Sequence, residues 1–157
     1  MTSTPHPARS TSGRADIGDP SYALEHQIGF LLRKAHQRHR SLFSRNIGVT
    51  LAPTQFATLA SLYVDGPTSQ NQLGRRTAMD TATITGVVDR LLQRKLVRTT
   101  SSPDDDRLTI VDLTDDGRQL IEELFPRAEN ISDMTLAPLD PEEQATLLEL
   151  LSRIAEG

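Results

Sequence analysis

The stretch MDTATITGVVDRLLQRKLVRTTSSPDDDRLTIVDLT, residues 79–114, decides the fold. Asp80 is a residue type that caps helices, and Ile84, Val87, Val88 and Leu91 follow at the intervals of one helical face. Thr81, Thr85 and Gly86 fall on the other side, so the segment predicts a helix over 81–94 with a small, polar outer face. Leu96–Thr100 and Arg107–Leu113 alternate as strands, and the intervening SSPDDD has the composition of a turn. A single arginine, Arg107, follows this hairpin tip.

Upstream, Pro53–Val64 predicts a helix with Pro at its first position and Phe56, Leu59, Ala60 and Tyr63 on its apolar side. Asp65-Gly66-Pro67 ends it. Ser69-Gln70-Asn71-Gln72 reads as a capping box opening a short helix anchored by Leu73 and ending near Ala78. Two short helices joined by a tight turn make a helix-turn-helix, and a following hairpin makes it winged. Residues 50–114 are this unit, and the fold class is mainly α: a winged helix-turn-helix with a two-stranded β wing.

Three further helices flank it. Asp19-Pro20 is an N-cap followed by Pro, and predicts a helix reaching about Arg45 within a 19–48 segment. Thr114 caps a fifth helix that Pro126 should kink, and Asp140-Pro141-Glu142-Glu143 opens a sixth bearing Ala145, Leu147, Leu148, Leu151 and Ile154. A winged helix needs none of these apolar faces, so the first helix and residues 115–157 predict a twofold homodimer. Residues 1–18, rich in Ser, Thr, Pro and Gly, predict a disordered tail containing His6.

The 157 residues suit one domain. The absence of cysteine excludes disulfides and thiolate zinc. No apolar run reaches the ~18 residues of a membrane span, and no signal peptide follows Met1, so a soluble cytoplasmic protein is expected. The net charge of -4 hides an asymmetry. Residues 1–65 carry seven basic and four acidic residues, 66–111 seven and five, and 112–157 three and twelve. Binding to a polyanion follows the local field, although acidic C-terminal helices are also commonly just solvated.

From about residue 22 onward the chain resembles the MarR (multiple antibiotic resistance regulator) family of bacterial transcription factors. Asp89-Arg90-Leu91, Leu96-Val97, Asp105-Asp106-Arg107 and Leu113-Thr114 with Gly117 carry the resemblance. It implies dimerisation through the N- and C-terminal helices, a palindromic double-stranded operator, and a fourth helix in the major groove. Thr81, Thr83 and Thr85 then face base edges, and the helix N-termini at Ser69 and Asp80 face phosphate. Arg75, Arg76, Arg90, Arg94, Lys95 and Arg98 are candidate phosphate contacts, each alternatively a solvated charge. The resemblance puts Arg107 in the minor groove, steadied by Asp105; the alternative is an Arg–Asp pair that only stiffens the hairpin. Two positions depart from the family: Ala52 stands where Thr or Ser usually caps the second helix, and Gly86 where an arginine is frequent.

The first helix, YALEHQIGFLLRKAHQRH, and the segment TATITGVVDRL resemble the family subset that senses aromatic carboxylates or their coenzyme A thioesters. An aromatic acid wants an apolar slot and a cation. His26, Phe30 and Arg33 at helical spacing, walled by Phe56 and Tyr63, are the candidate effector residues, against the alternative that the aromatics are plain core. Ligand binding there is expected to change the ~34 Å separation of paired recognition helices and release a repressor from DNA.

No metal site and no cofactor are expected: His26, His36 and His39 lack a companion ligand set. No Gly-rich phosphate loop or nucleophile motif points to an enzyme, and Asp104-Asp105-Asp106 on one turn cannot all face one ion. The remaining alternatives are a regulator of efflux or stress genes with another effector, and a winged helix used only to bind proteins.

Overall fold

The structure is a computed structural model that describes residues 23–157. The expected tail and the Asp19-Pro20 cap lie outside the described residues. The chain divides into two units, Met1–Lys34 and Ala35–Gly157.

In the first unit, Leu24–His26 form a 3-10 turn, and Gln27 is extended (φ -83°, ψ 130°). Gln27 then offers its carbonyl to the N–H groups of Phe30 and Leu31, so helix α1 runs Ile28–Asn46, its residues from Ala35 onward belonging to the second unit. The expected single helix from Pro20 is therefore interrupted, because Gln27 acts as a new N-terminal boundary.

In the second unit, α2 (Pro53–Asp65), α3 (Gln70–Arg76) and α4 (Thr81–Gln93) form the helix-turn-helix. Strands β2 (Val97–Ser101) and β3 (Thr109–Leu113) form the wing, followed by α5 (Asp115–Leu136) and α6 (Pro141–Glu156). The sheet has three strands rather than two. A short β1, Thr68–Ser69, pairs antiparallel with Val111 and Ile110 of β3, in the order β1-β3-β2. Two residues before a helix cap carry no alternation, which is why the sequence did not announce this strand.

The core joins Leu59 and Leu62 of α2, Leu73 of α3, the Ile84–Leu91 stripe of α4, Val111 of β3 and Ile121, Leu124 and Ile131 of α5, all at most 1% exposed. Each such side chain contributes about 1.5–3 kcal/mol of burial. That burial, with the Asp80 cap, holds α4 helical despite its β-branched threonines. Pro126 does not end α5, which continues through it as one helix.

Local devices explain several motif residues. Thr114 caps α5 by accepting from Gly117 N–H (3.1 Å) while its own hydroxyl donates to Lys95 O (2.7 Å). A Cβ at Gly117 would collide with the Leu96 carbonyl, so this glycine lets α5 lie directly on the start of the wing. Helices α3 and α4 both end in Schellman motifs. Met79 N–H bonds Gly74 O and Ala78 N–H bonds Arg75 O; Leu96 N–H bonds Leu91 O and Lys95 N–H bonds Leu92 O. Ala78 (φ 53°) and Lys95 (φ 58°) take the left-handed position usually held by glycine.

Candidate nucleic-acid interface

Asp80 accepts from Thr83 N–H at 2.7 Å, and that hydrogen bond holds its carboxyl below the usual carboxylate range. The negative cap fixes the start of α4, whose exposed face then presents Thr81, Ala82, Thr83, Asp89 and Arg90. Thr81, Thr83 and Arg90 are thus solvent-facing, as a reading face requires. Thr85 differs. It is half-buried, its hydroxyl donates to Thr81 O (2.7 Å) and it accepts from Gln70 Nε2 (2.8 Å). Gly86 has room: a Cβ there meets only Arg90 Nη2, at 3.9 Å.

Ser69 caps α3 by accepting from Gln72 N–H at 3.3 Å; no reciprocal bond from the Gln72 side chain completes the expected box. At α2, the weak Ala52 cap is offset by Gln55, whose Oε1 accepts from Ala52 N–H at 3.0 Å. Arg75 is exposed, and Arg76 reaches only a long 3.5 Å contact with Gly66 O, leaving both heads in water. Lys95 is also exposed.

Two of the expected phosphate contacts are engaged within the protein. Arg94 Nη1 donates to Thr50 O at 2.7 Å, tying the end of α4 to the segment before α2. Arg98 Nη2 pairs with Asp112 Oδ2 at 2.8 Å across β2 and β3. The Arg98 side chain is 62% exposed, so the pair is worth little to stability.

At the wing tip, Asp105 Oδ1 accepts from the backbone N–H of Arg107 at 3.0 Å, and its carbonyl accepts from Leu108 N–H. Asp105 therefore shapes the turn through the backbone, and no ion pair joins it to the Arg107 guanidinium. The Arg107 side chain is exposed.

The candidate effector residues divide between the two units, His26, Phe30 and Arg33 in the first and Phe56 and Tyr63 in the second. His26 sits in the 3-10 turn, separated from α1 by Gln27. Phe30 and Arg33 are on α1, with Lys34 Nζ 5.6 Å from the Phe30 ring centroid and Arg33 exposed. In the second unit Phe56 and Tyr63 belong to an aromatic chain: Phe43–Phe56 centroids are 5.7 Å apart, Phe56–Phe125 6.4 Å and Tyr63–Phe125 5.2 Å. Arg118 stacks 5.3 Å from the Tyr63 ring centroid, and the nearby Glu122 carboxylate pushes the Tyr63 hydroxyl's pKa up. An open cleft of about 690 Å³ lies between the later turns of α1 and the start of α2, lined by Arg40, Phe43, Arg45, Leu51 and Pro53 among others. None of the five candidates lines it.

Residues 51–109 match the model of the MarR family. The chain is 38% identical over 150 residues to the HTH-type transcriptional repressor NicR of Pseudomonas putida, covering 95% of each protein. The chain belongs to the MarR family. A crystal structure of a probable transcriptional regulator from Pseudomonas aeruginosa superposes with a TM-score of 0.81 at 50% identity, over 84% of this chain and 99% of that one. BpsR of Bordetella bronchiseptica, whose DNA binding is regulated by 6-hydroxynicotinic acid, superposes with a TM-score of 0.83 at 39% identity, over 87% and 98%. This MarR-family chain thus carries the family's winged helix-turn-helix fold. Sequence reasoning missed the bond of Gln70 to Thr85 and that of Arg94 to Thr50. Gln70 could have been suspected, since it opens α3 as an amide next to a capping serine.

Proposed function

We propose that this protein is a homodimeric repressor in the cytoplasm that binds a palindromic operator, controls genes for aromatic compound metabolism, and loosens its grip when a small aromatic carboxylic acid binds. It acts by binding, with no catalytic step. The observation that carries the reading is the whole-length similarity to NicR and to the acid-regulated BpsR. That similarity favours a hydroxylated pyridine carboxylate as the effector class.

Three features of the chain support it. Arg107 stands on an Asp105-shaped wing with its guanidinium free of carboxylates among the described residues. No residue of α6 is buried, and Leu148, Leu150 and Ile154 are 53%, 45% and 59% exposed. Covering such a helix against a second copy removes that apolar surface from water. Arg33, exposed on α1 and paired with no carboxylate among the described residues, is the cation we assign to the effector's carboxylate.

A thermal-shift series with 6-hydroxynicotinate, 4-hydroxybenzoate, salicylate and benzoyl-CoA tests the effector class. A rise in melting temperature with 6-hydroxynicotinate, abolished by Arg33→Ala, is expected. No rise with any of them sinks the sensing half of the proposal. A gel shift on DNA upstream of its own gene tests the other half, which fails if no salt-sensitive complex forms.

A further inference from the structure

We infer that Gln70, which lies outside the recognition helix, is a base-reading residue, and that Thr85 is the post on which it is mounted. The threonine hydroxyl has one proton and two lone pairs. Its proton goes to Thr81 O at 2.7 Å and one lone pair accepts from Gln70 Nε2 at 2.8 Å. Half-buried and with no proton left to give, Thr85 is a poor reader of a base edge.

Gln70 is in the opposite position. One of its two amide N–H groups is used on Thr85; the other, and Oε1, bond to nothing else among the described residues. No buried side-chain oxygen or nitrogen lacks a partner among those residues, so Oε1 reaches solvent. The network also fixes which way the amide faces. With the Thr85 proton on Thr81 O, the amide presents Nε2 to Thr85 and leaves Oε1 outward. What remains is an oriented amide offering one acceptor and one donor beside α4. That pair matches the N6 and N7 edge of adenine in the major groove. Mounting the amide on Thr85 settles its rotamer before DNA arrives, which lowers the entropy lost on contact. The inference rests on the protein binding DNA as a regulator and adds to that reading a named specificity residue.

The test is selection from a randomised duplex library with the full-length dimer, comparing wild type, Gln70→Ala, Gln70→Glu and Thr85→Val, each first checked for folding by circular dichroism. Wild type is expected to enrich a twofold-symmetric consensus that includes an A·T pair at one symmetric pair of positions. Gln70→Ala should flatten the preference at those positions alone, by about tenfold in discrimination. Thr85→Val, which keeps the shape but removes the post, should weaken the same positions. Gln70→Glu should move the preference there toward cytosine, whose N4 donates to a carboxylate. An unchanged consensus in Gln70→Ala overturns the inference, as does a loss spread evenly over every position. If Gln70→Ala does not fold, an unchanged base preference in Gln70→Glu overturns it instead. A wild-type protein that enriches no duplex overturns the DNA-binding reading itself, a result distinct from the others.

Discussion

Arg94 at the end of the recognition helix holds the carbonyl of Thr50 at 2.7 Å. A second arginine, Arg127 of α5, donates to Ile47 O at 2.9 Å, so the segment from Ile47 to Ala52 is gripped from α4 and α5 alike. We read this as a positioning role rather than a contact with phosphate. Arg94→Ala is expected to destabilise the protein by about 1 kcal/mol in a urea melt. It should leave the slope of log affinity against log salt unchanged, whereas loss of a phosphate contact would reduce that slope by about one.

The helix-turn-helix has stability in reserve at its two left-handed positions. Ala78→Gly removes the Cβ strain of φ 53° without touching a contact, and is expected to stabilise by about 1 kcal/mol. Equilibrium denaturation at one fixed protein concentration measures it, because a dimer's stability depends on concentration. An unchanged or lower midpoint would show that the backbone there is not strained.

Gly117 carries the opposite expectation. Gly117→Ala must displace the Leu96 carbonyl or tilt α5, and overpacking of this kind costs about 1–3 kcal/mol. The same melt checks it, and a neutral result would contradict the close approach of α5 to the wing.

His39 supplies a pH dependence. His39 Nδ1 lies 2.9 Å from the Thr135 hydroxyl, which also bonds Ile131 O at 2.8 Å. Partial burial, and then the neighbouring His36, hold the His39 pKa below its usual 6.5. A folded-state pKa below the unfolded value means that the unfolded chain binds more protons on acidification. The stabilisation is therefore complete above about pH 6.5 and lost as pH falls through the lower folded value. Melting temperature should drop between pH 7.5 and 5.5, and His39→Gln should flatten that part of the profile.

The helix-turn-helix and wing were legible because their signals are local. The Asp80 cap, the Ile84–Leu91 stripe and the alternation of β2 each state their element within a few residues. What escaped depends on distant partners. The β1 strand exists only through pairing with β3, and Arg94 looked like any surface cation until Thr50 folded against it. Thr85 was read as a base contact because helical periodicity reports the face of a side chain, not where its proton goes. The first helix was read as unbroken to its start, whereas Gln27 interrupts it through backbone geometry that no side-chain pattern encodes.

Release from the operator by an aromatic acid is the property on which the proposed regulation stands or falls. Fluorescence anisotropy with a labelled duplex from upstream of the gene, titrated with the protein at fixed salt, gives the operator affinity with and without 6-hydroxynicotinate. Weaker binding is expected in its presence, by about 5- to 150-fold, the range of a coupling of about 1–3 kcal/mol. An affinity that stays the same at saturating 6-hydroxynicotinate, and with each of the other acids tested, would contradict it.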